Sequence, residues 1–139
     1  MNGYATNTRA LTLGSTWQSR PLRLVYTMDH PAEVRLELPG QGRSWTIART
    51  RLAEGLQQSV LDGFECGGAE QVYVASLAFT QRTVLGLPAA RPTVLSVSTD
   101  ALRRFVRVSY ACCPAYREAE LIAAQVETAI TQLTTPGGP

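Results

Sequence analysis

The chain contains no lysine: all 13 of its basic side chains are arginine. Schiff-base chemistry is therefore closed to it, and so is a phosphate loop of the kind that depends on a lysine. "GGAEQ" at Gly67 also precedes a strand where a nucleotide fingerprint would open a helix. Histidine is almost missing. His30 stands alone in the turn-forming stretch "MDHP", so neither a zinc site nor a Ser-His-Asp arrangement has its parts. The three cysteines, Cys66, Cys112 and Cys113, show no CxxC or Cys/His ligand spacing, and the adjacent pair is poorly placed to bridge itself. They read as small apolar groups, and no metal or cofactor is expected.

Long apolar runs are missing too. Nothing approaches the roughly 20 residues of a membrane-spanning helix, so membrane insertion is not expected. The opening "MNGYATNTRALTLGSTW" has neither a basic start nor a continuous apolar stretch, which predicts no secretory signal and a cytoplasmic location. Only 17% of residues are charged, and the formal net charge of +2 produces a weak overall field. With 45% hydrophobic residues in 139 positions, the chain suits a single domain that buries about two-thirds of its unfolded surface.

What is present is strand alternation punctuated by helices. Residues 1–16 are polar and mixed and predict a loose arm, with "ALTL" at Ala10 to Leu13 able to add a short edge strand. "LRLVYT" after Pro21 reads as a strand, and "MDHP" as a turn. "AEVRLEL" is the cleanest half-buried strand, with Val34, Leu36 and Leu38 on one face and Glu33, Arg35 and Glu37 on the other. "PGQGRS" then closes a hairpin into "WTIART", whose Trp45, Ile47 and Arg49 share one side. This strand runs straight into a helix, predicted from Arg51 to about Ser59 with Thr50 as its cap. Gly55 inside that helix costs about 1 kcal/mol relative to alanine, so packing through Leu52, Leu56 and Val60 must hold it.

The second half repeats the first. After the glycine-rich "DGFECGGAE", the stretches "QVYVASLAF", "TVLGL" and "TVLSVS" supply three strands. A helix follows, capped by Thr99 or Asp100, with Leu102, Phe105, Val106 and Tyr110 as its apolar stripe, and Pro114 ends it. A last helix is expected from about Glu118 to Leu133, with Ile122, Val126, Ala129, Ile130 and Leu133 at helical spacing and Glu118, Glu120 and Glu127 away from them; residues 134–139 read as a flexible tail. The fold class is α+β, an antiparallel sheet of about six to eight strands with two strand-helix repeats and a C-terminal helix.

Two sets of charges invite a functional reading. Glu33 with Glu37 and Glu118 with Glu120 are poorly disposed as catalytic carboxylate pairs, so no enzyme is expected. Arg103, Arg104 and Arg107 form a positive outer face on the second helix, and Arg49 with Arg51 makes a smaller cluster. Such faces contact phosphates or acidic partners, although a solvated helix face is the commoner explanation, as is pairing with Glu118 and Glu120. Aromatic side chains for base stacking are sparse near both clusters, so nucleic acid is not the favoured partner.

"YTMDHPAEVRLEL" followed by "WTIARTRLAEGL" resembles the central pattern of the SsgA/SsgB sporulation and cell-division proteins of actinobacteria. The most specific part is Ala48, Arg49, Leu52, Ala53, Glu54, Gly55 and Leu56, a motif expected to be mainly structural. "TVLSVSTDALRRFVRVSYACCP" is similar to the family's strand, capped helix and proline, and the resemblance spans Pro21 to Pro114. It implies a non-enzymatic division factor with a Whirly-like fold, acting as a homo-oligomer, specifically a trimer. The implied partners are FtsZ or another SsgA-like protein, met at the division septum. Arg103, Arg104 and Arg107 are the candidate partner-binding residues, and the alternative is a Whirly-like single-stranded nucleic-acid-binding module.

Overall fold

The computed structural model describes residues 3–57, 59–60, 72–77, 80–89 and 93–134. Eight strands and three α-helices follow in order: β1 (Gly3–Leu13), β2 (Trp17–Thr27), β3 (Glu33–Leu38), β4 (Arg43–Ala48), α1 (Arg49–Gln57), β5 (Ser59–Val60), β6 (Tyr73–Leu77), β7 (Arg82–Leu87), β8 (Thr93–Ser98), α2 (Thr99–Cys112) and α3 (Ala115–Thr134). The strands form one sheet in the order β4-β3-β2-β1-β8-β7-β6-β5. All pairings are antiparallel except the two-residue match of β5 with β6. Two four-strand units, each ending in a helix, thus meet where β1 pairs with β8.

Hydrogen bonds across the sheet show that it curls. Four strand spacings separate β4 from β8, which in a flat sheet is about 19 Å at ~4.8 Å per step. Arg43 of β4 nevertheless donates to Thr93 Oγ1 of β8 at 2.6 Å, and Trp45 Nε1 donates to Pro88 O beyond β7 at 2.9 Å. The concave face collects the inward positions of every long strand, including Leu22, Leu24 and Tyr26 of β2, Val34 and Leu36 of β3, Ile47 of β4 and Leu95 and Val97 of β8. α2 packs into this face through Leu102, Phe105 and Val106, and Phe105 stacks on Tyr4 of β1 at 5.8 Å.

Residues 3–13 are the main correction to the sequence reading. They form no loose arm but a central strand between β2 and β8. Its inward positions are Tyr4, Thr6, Thr8, Ala10 and Thr12, mostly small or hydroxyl-bearing, so the apolar alternation that marks the other strands is faint here. The pairing itself supplies the stability, with eleven residue partners on β2 and threonines that suit a pleated surface.

Both predicted helix caps shift. α1 begins at Arg49, two residues early, so Thr50 lies inside the first turn; the junction is tied instead by Arg49 N–H donating to Ala32 O at 2.8 Å. The cap of α2 is Ser98, whose Oγ accepts from Ala101 N–H at 3.3 Å. Thr99 turns inward, where its hydroxyl meets Thr83 Oγ1 at 2.8 Å, and Thr83 meets Ser76 Oγ at 3.1 Å. Ser76 also donates to Gly55 O at 3.1 Å, so a line of buried hydroxyls joins α1 to the start of α2. Val60 falls in β5, with its side chain outside the described residues, as are "DGFECGGAE" and the tail from 135 onward. α3 starts at Ala115 rather than near Glu118.

Candidate interaction surface

The strand-to-helix junction is organised by one side chain. Inward alternation along β4 runs Trp45, Ile47 and then Arg49, which places a guanidinium where the pattern calls for an apolar group. Arg49 is fully buried. Its Nη1 donates to Ser109 O at 3.0 Å, which also accepts the Cys113 N–H, and to Cys113 O at 2.8 Å, a carbonyl at the end of α2. Nη2 meets Glu118 Oε2 at 2.9 Å, and the guanidinium lies 3.9 Å from the Tyr110 ring centre and 5.0 Å from that of Tyr26. One arginine thereby joins β4, α1, α2 and α3 over β2.

Tyr26 completes this buried cluster. Its hydroxyl donates to Pro31 O at 3.0 Å, closing the "MDHP" turn. Burial pushes its phenol well above the ordinary value, the Cys113 side chain adds to the shift, and the Arg49 charge opposes it. His30 is exposed in the same turn.

The remaining motif residues divide by role. Leu52 and Leu56 are core residues and Ala53 packs against the core, whereas Ala48 and Glu54 are exposed. Gly55 is required by close approach, because a Cβ there would overlap the Val74 side chain and stand 2.8 Å from Val74 O. The motif is thus largely a packing device that seats α1 on β6.

Arg103, Arg104 and Arg107 are all exposed on α2, with Leu102, Phe105 and Val106 turned inward beneath them. They are not equivalent. Arg103 Nη2 donates to Leu56 O at 3.2 Å and so caps the last turn of α1, while Arg104 and Arg107 make no hydrogen bond or ion pair among the described residues. The expected pairing with Glu118 does not occur, since Glu118 is taken by Arg49, and Glu120 is exposed. The sequence reading put Glu118 on the outer side of the last helix; the available signal was a buried arginine on the preceding unit needing a carboxylate.

α3 carries most of the exposed large hydrophobic side chains among the described residues. Glu118, Leu121 and Gln125 hold it to the body, with Gln125 Nε2 donating to Asp29 O at 3.0 Å. The stripe read from the sequence faces away: Ile122 is 38% exposed, Val126 52%, Ile130 54% and Leu133 85%. No helix among the described residues is long and apolar enough to cross a membrane.

Comparison with known proteins gives a consistent picture. The model of the SsgA family, the Streptomyces sporulation and cell division protein, matches residues 21–118. Among solved structures, one similar in fold is SsgB of Streptomyces coelicolor, whose mutations correlate to longitudinal cell division during sporulation; it is 22% identical with a TM-score of 0.69, over 86% of this chain and 94% of that one. Another is an SsgA-like sporulation-specific cell division protein from Thermobifida fusca, 20% identical with a TM-score of 0.69, over 93% of this chain and 96% of that one. No curated protein matches the chain significantly in sequence.

Proposed function

The chain belongs to the SsgA family of sporulation and cell division proteins, and on that premise we propose that it is a non-enzymatic division factor that helps control septum placement through protein-protein contact. Its partners in this reading are FtsZ or another SsgA-like protein, and it is recruited from the cytoplasm to the septum. The observation that carries the proposal is the apolar face of α3, which a soluble chain does not retain without use. A second and third copy covering that face as a homotrimer would leave the exposed Arg104 and Arg107 of α2 for an acidic partner.

Co-purification from a sporulating actinobacterial host tests this reading. The Arg104→Gln/Arg107→Gln variant spares the Arg103 bond to α1, so it should fold normally yet recover less FtsZ or SsgA-like partner and misplace septa. Unchanged recovery and septation would remove these arginines from the interface. The Whirly-like alternative draws on the two four-strand-plus-helix units and the same unpaired arginines. Tight binding of a single-stranded oligonucleotide that weakens steeply with salt would favour it instead.

A further inference from the structure

The inward face of the curled sheet changes character at the end the helices leave open. Along β2 the inward positions Tyr26, Leu24 and Leu22 continue to Arg20 and Gln18; along β1, Ala10 continues to Thr12; along β8, Val97 and Leu95 continue to Thr93; along β4, Ile47 and Trp45 continue to Arg43. The same period-two alternation that builds the core therefore aims two arginines and several hydroxyls into one space. That space is an open cleft of about 610 Å³, and among the described residues no aspartate or glutamate lines it.

The two guanidiniums are held but not neutralised. Arg43 donates through Nη2 to Thr93 Oγ1 at 2.6 Å and lies 4.7 Å over the Trp45 ring, while Arg20 donates through Nη2 to Gln18 Oε1 at 2.8 Å. At the opposite end of the concave face, the inward Arg49 has a carboxylate and two carbonyls. Among the described residues Arg20 and Arg43 have only neutral oxygens as partners, which leaves further donors for an anionic oxygen. At the rim, the end of β1 brings Leu13, about half exposed, into the lining of the same cleft.

We propose that this mouth of the half-barrel is a binding site for a carboxylate-bearing peptide segment, with Arg20 and Arg43 taking an aspartate or glutamate and Leu13 taking an adjacent apolar side chain. A single-stranded nucleic acid suits it less, because two cations, with the Trp45 ring already covered by Arg43, make no continuous track for successive phosphates and bases. The cleft shares no residue with the outer faces of α2 and α3, so it stands or falls independently of the assembly proposed for them.

The test titrates the full chain with a blocked six-residue peptide of alternating leucine and aspartate, read by calorimetry and by tryptophan fluorescence. Saturable binding on the order of 100 µM is expected. The peptide with asparagine in place of aspartate should not bind, and Arg20→Gln/Arg43→Gln should weaken affinity about tenfold or more. Arg20→Gln alone, which removes only the bond to Gln18, keeps the test open if the double variant folds poorly. Equal binding of the asparagine peptide, no saturable binding, unchanged affinity in Arg20→Gln, or displacement by inorganic phosphate or a thymidine oligonucleotide at lower concentration than the peptide would overturn the proposal.

Discussion

Arg49 bears three charge-assisted hydrogen bonds and two ring contacts without any exposure, so its geometry leaves little room for substitution. Arg49→Met strands Glu118 and the Cys113 carbonyl, and a loss of about 3–5 kcal/mol is expected by urea denaturation. Arg49→Lys should not rescue it, because an ammonium cannot span two carbonyls and a carboxylate in one plane. Gly55 gives a prediction of opposite sign to helix propensity. Alanine would ordinarily stabilise a helix interior by about 1 kcal/mol, but here Gly55→Ala should destabilise by about 1–3 kcal/mol through overpacking. Adding Val74→Ala should not restore the loss, since Val74 O is also in the way. Tyr26 carries the pH dependence. Its folded pKa lies above the ordinary 10.0, so below that value both states keep the proton and stability is unaffected. As pH rises above it, the unfolded chain loses a proton that the folded chain retains, and stability falls by up to about 1.4 kcal/mol per pH unit. Urea midpoints between pH about 8 and about 11 should show this slope, and Tyr26→Phe should remove it.

At the scale of elements, helix ends and helix faces were legible to different degrees. The apolar stripe of α2 is where its spacing put it, because a 3.6-residue period survives whatever lies beneath. Its cap moved by one residue, since Ser98, Thr99 and Asp100 are all competent and only the buried Thr83 hydroxyl decides that Thr99 turns inward. Ser98→Ala should therefore cost about 1 kcal/mol in thermal or urea stability, whereas Asp100→Ala should cost much less. For α3 the stripe was equally readable, but periodicity cannot say that the body of the same chain leaves it exposed. In the proposed homotrimer, Ile122→Ser/Val126→Ser/Leu133→Ser should leave the protomer's melting almost unchanged and lower the mass measured by light scattering, and an unaltered mass would remove this face from the proposed interface.

For the whole molecule, β1 is the decisive element. A chain lacking residues 1–16 would be tolerated if they formed an arm; because β1 bridges the two four-strand units, the truncated protein should be insoluble or lack a cooperative transition in circular dichroism. The curl of the sheet also belongs to this scale, since it brings Arg43 to Thr93 and creates the mouth at Arg20. No local pattern encodes that approach. Strands β4 and β8 lie far apart in both sequence and sheet order.

Alternation and helical period, with the residues between them, determined the α+β class, six of the eight strands in outline and the sites of all three helices, because burial of one face imposes its period on the chain. The family motif and its arginine were legible for the same local reason. Tertiary structure alone decided that residues 3–13 are a central strand, that Glu118 serves Arg49, that Arg103 caps α1, and that two inward arginines face an open end. Each of these depends on which distant segments meet, and the energy of such meetings lies in hydrogen bonds and charges with no sequence period of their own.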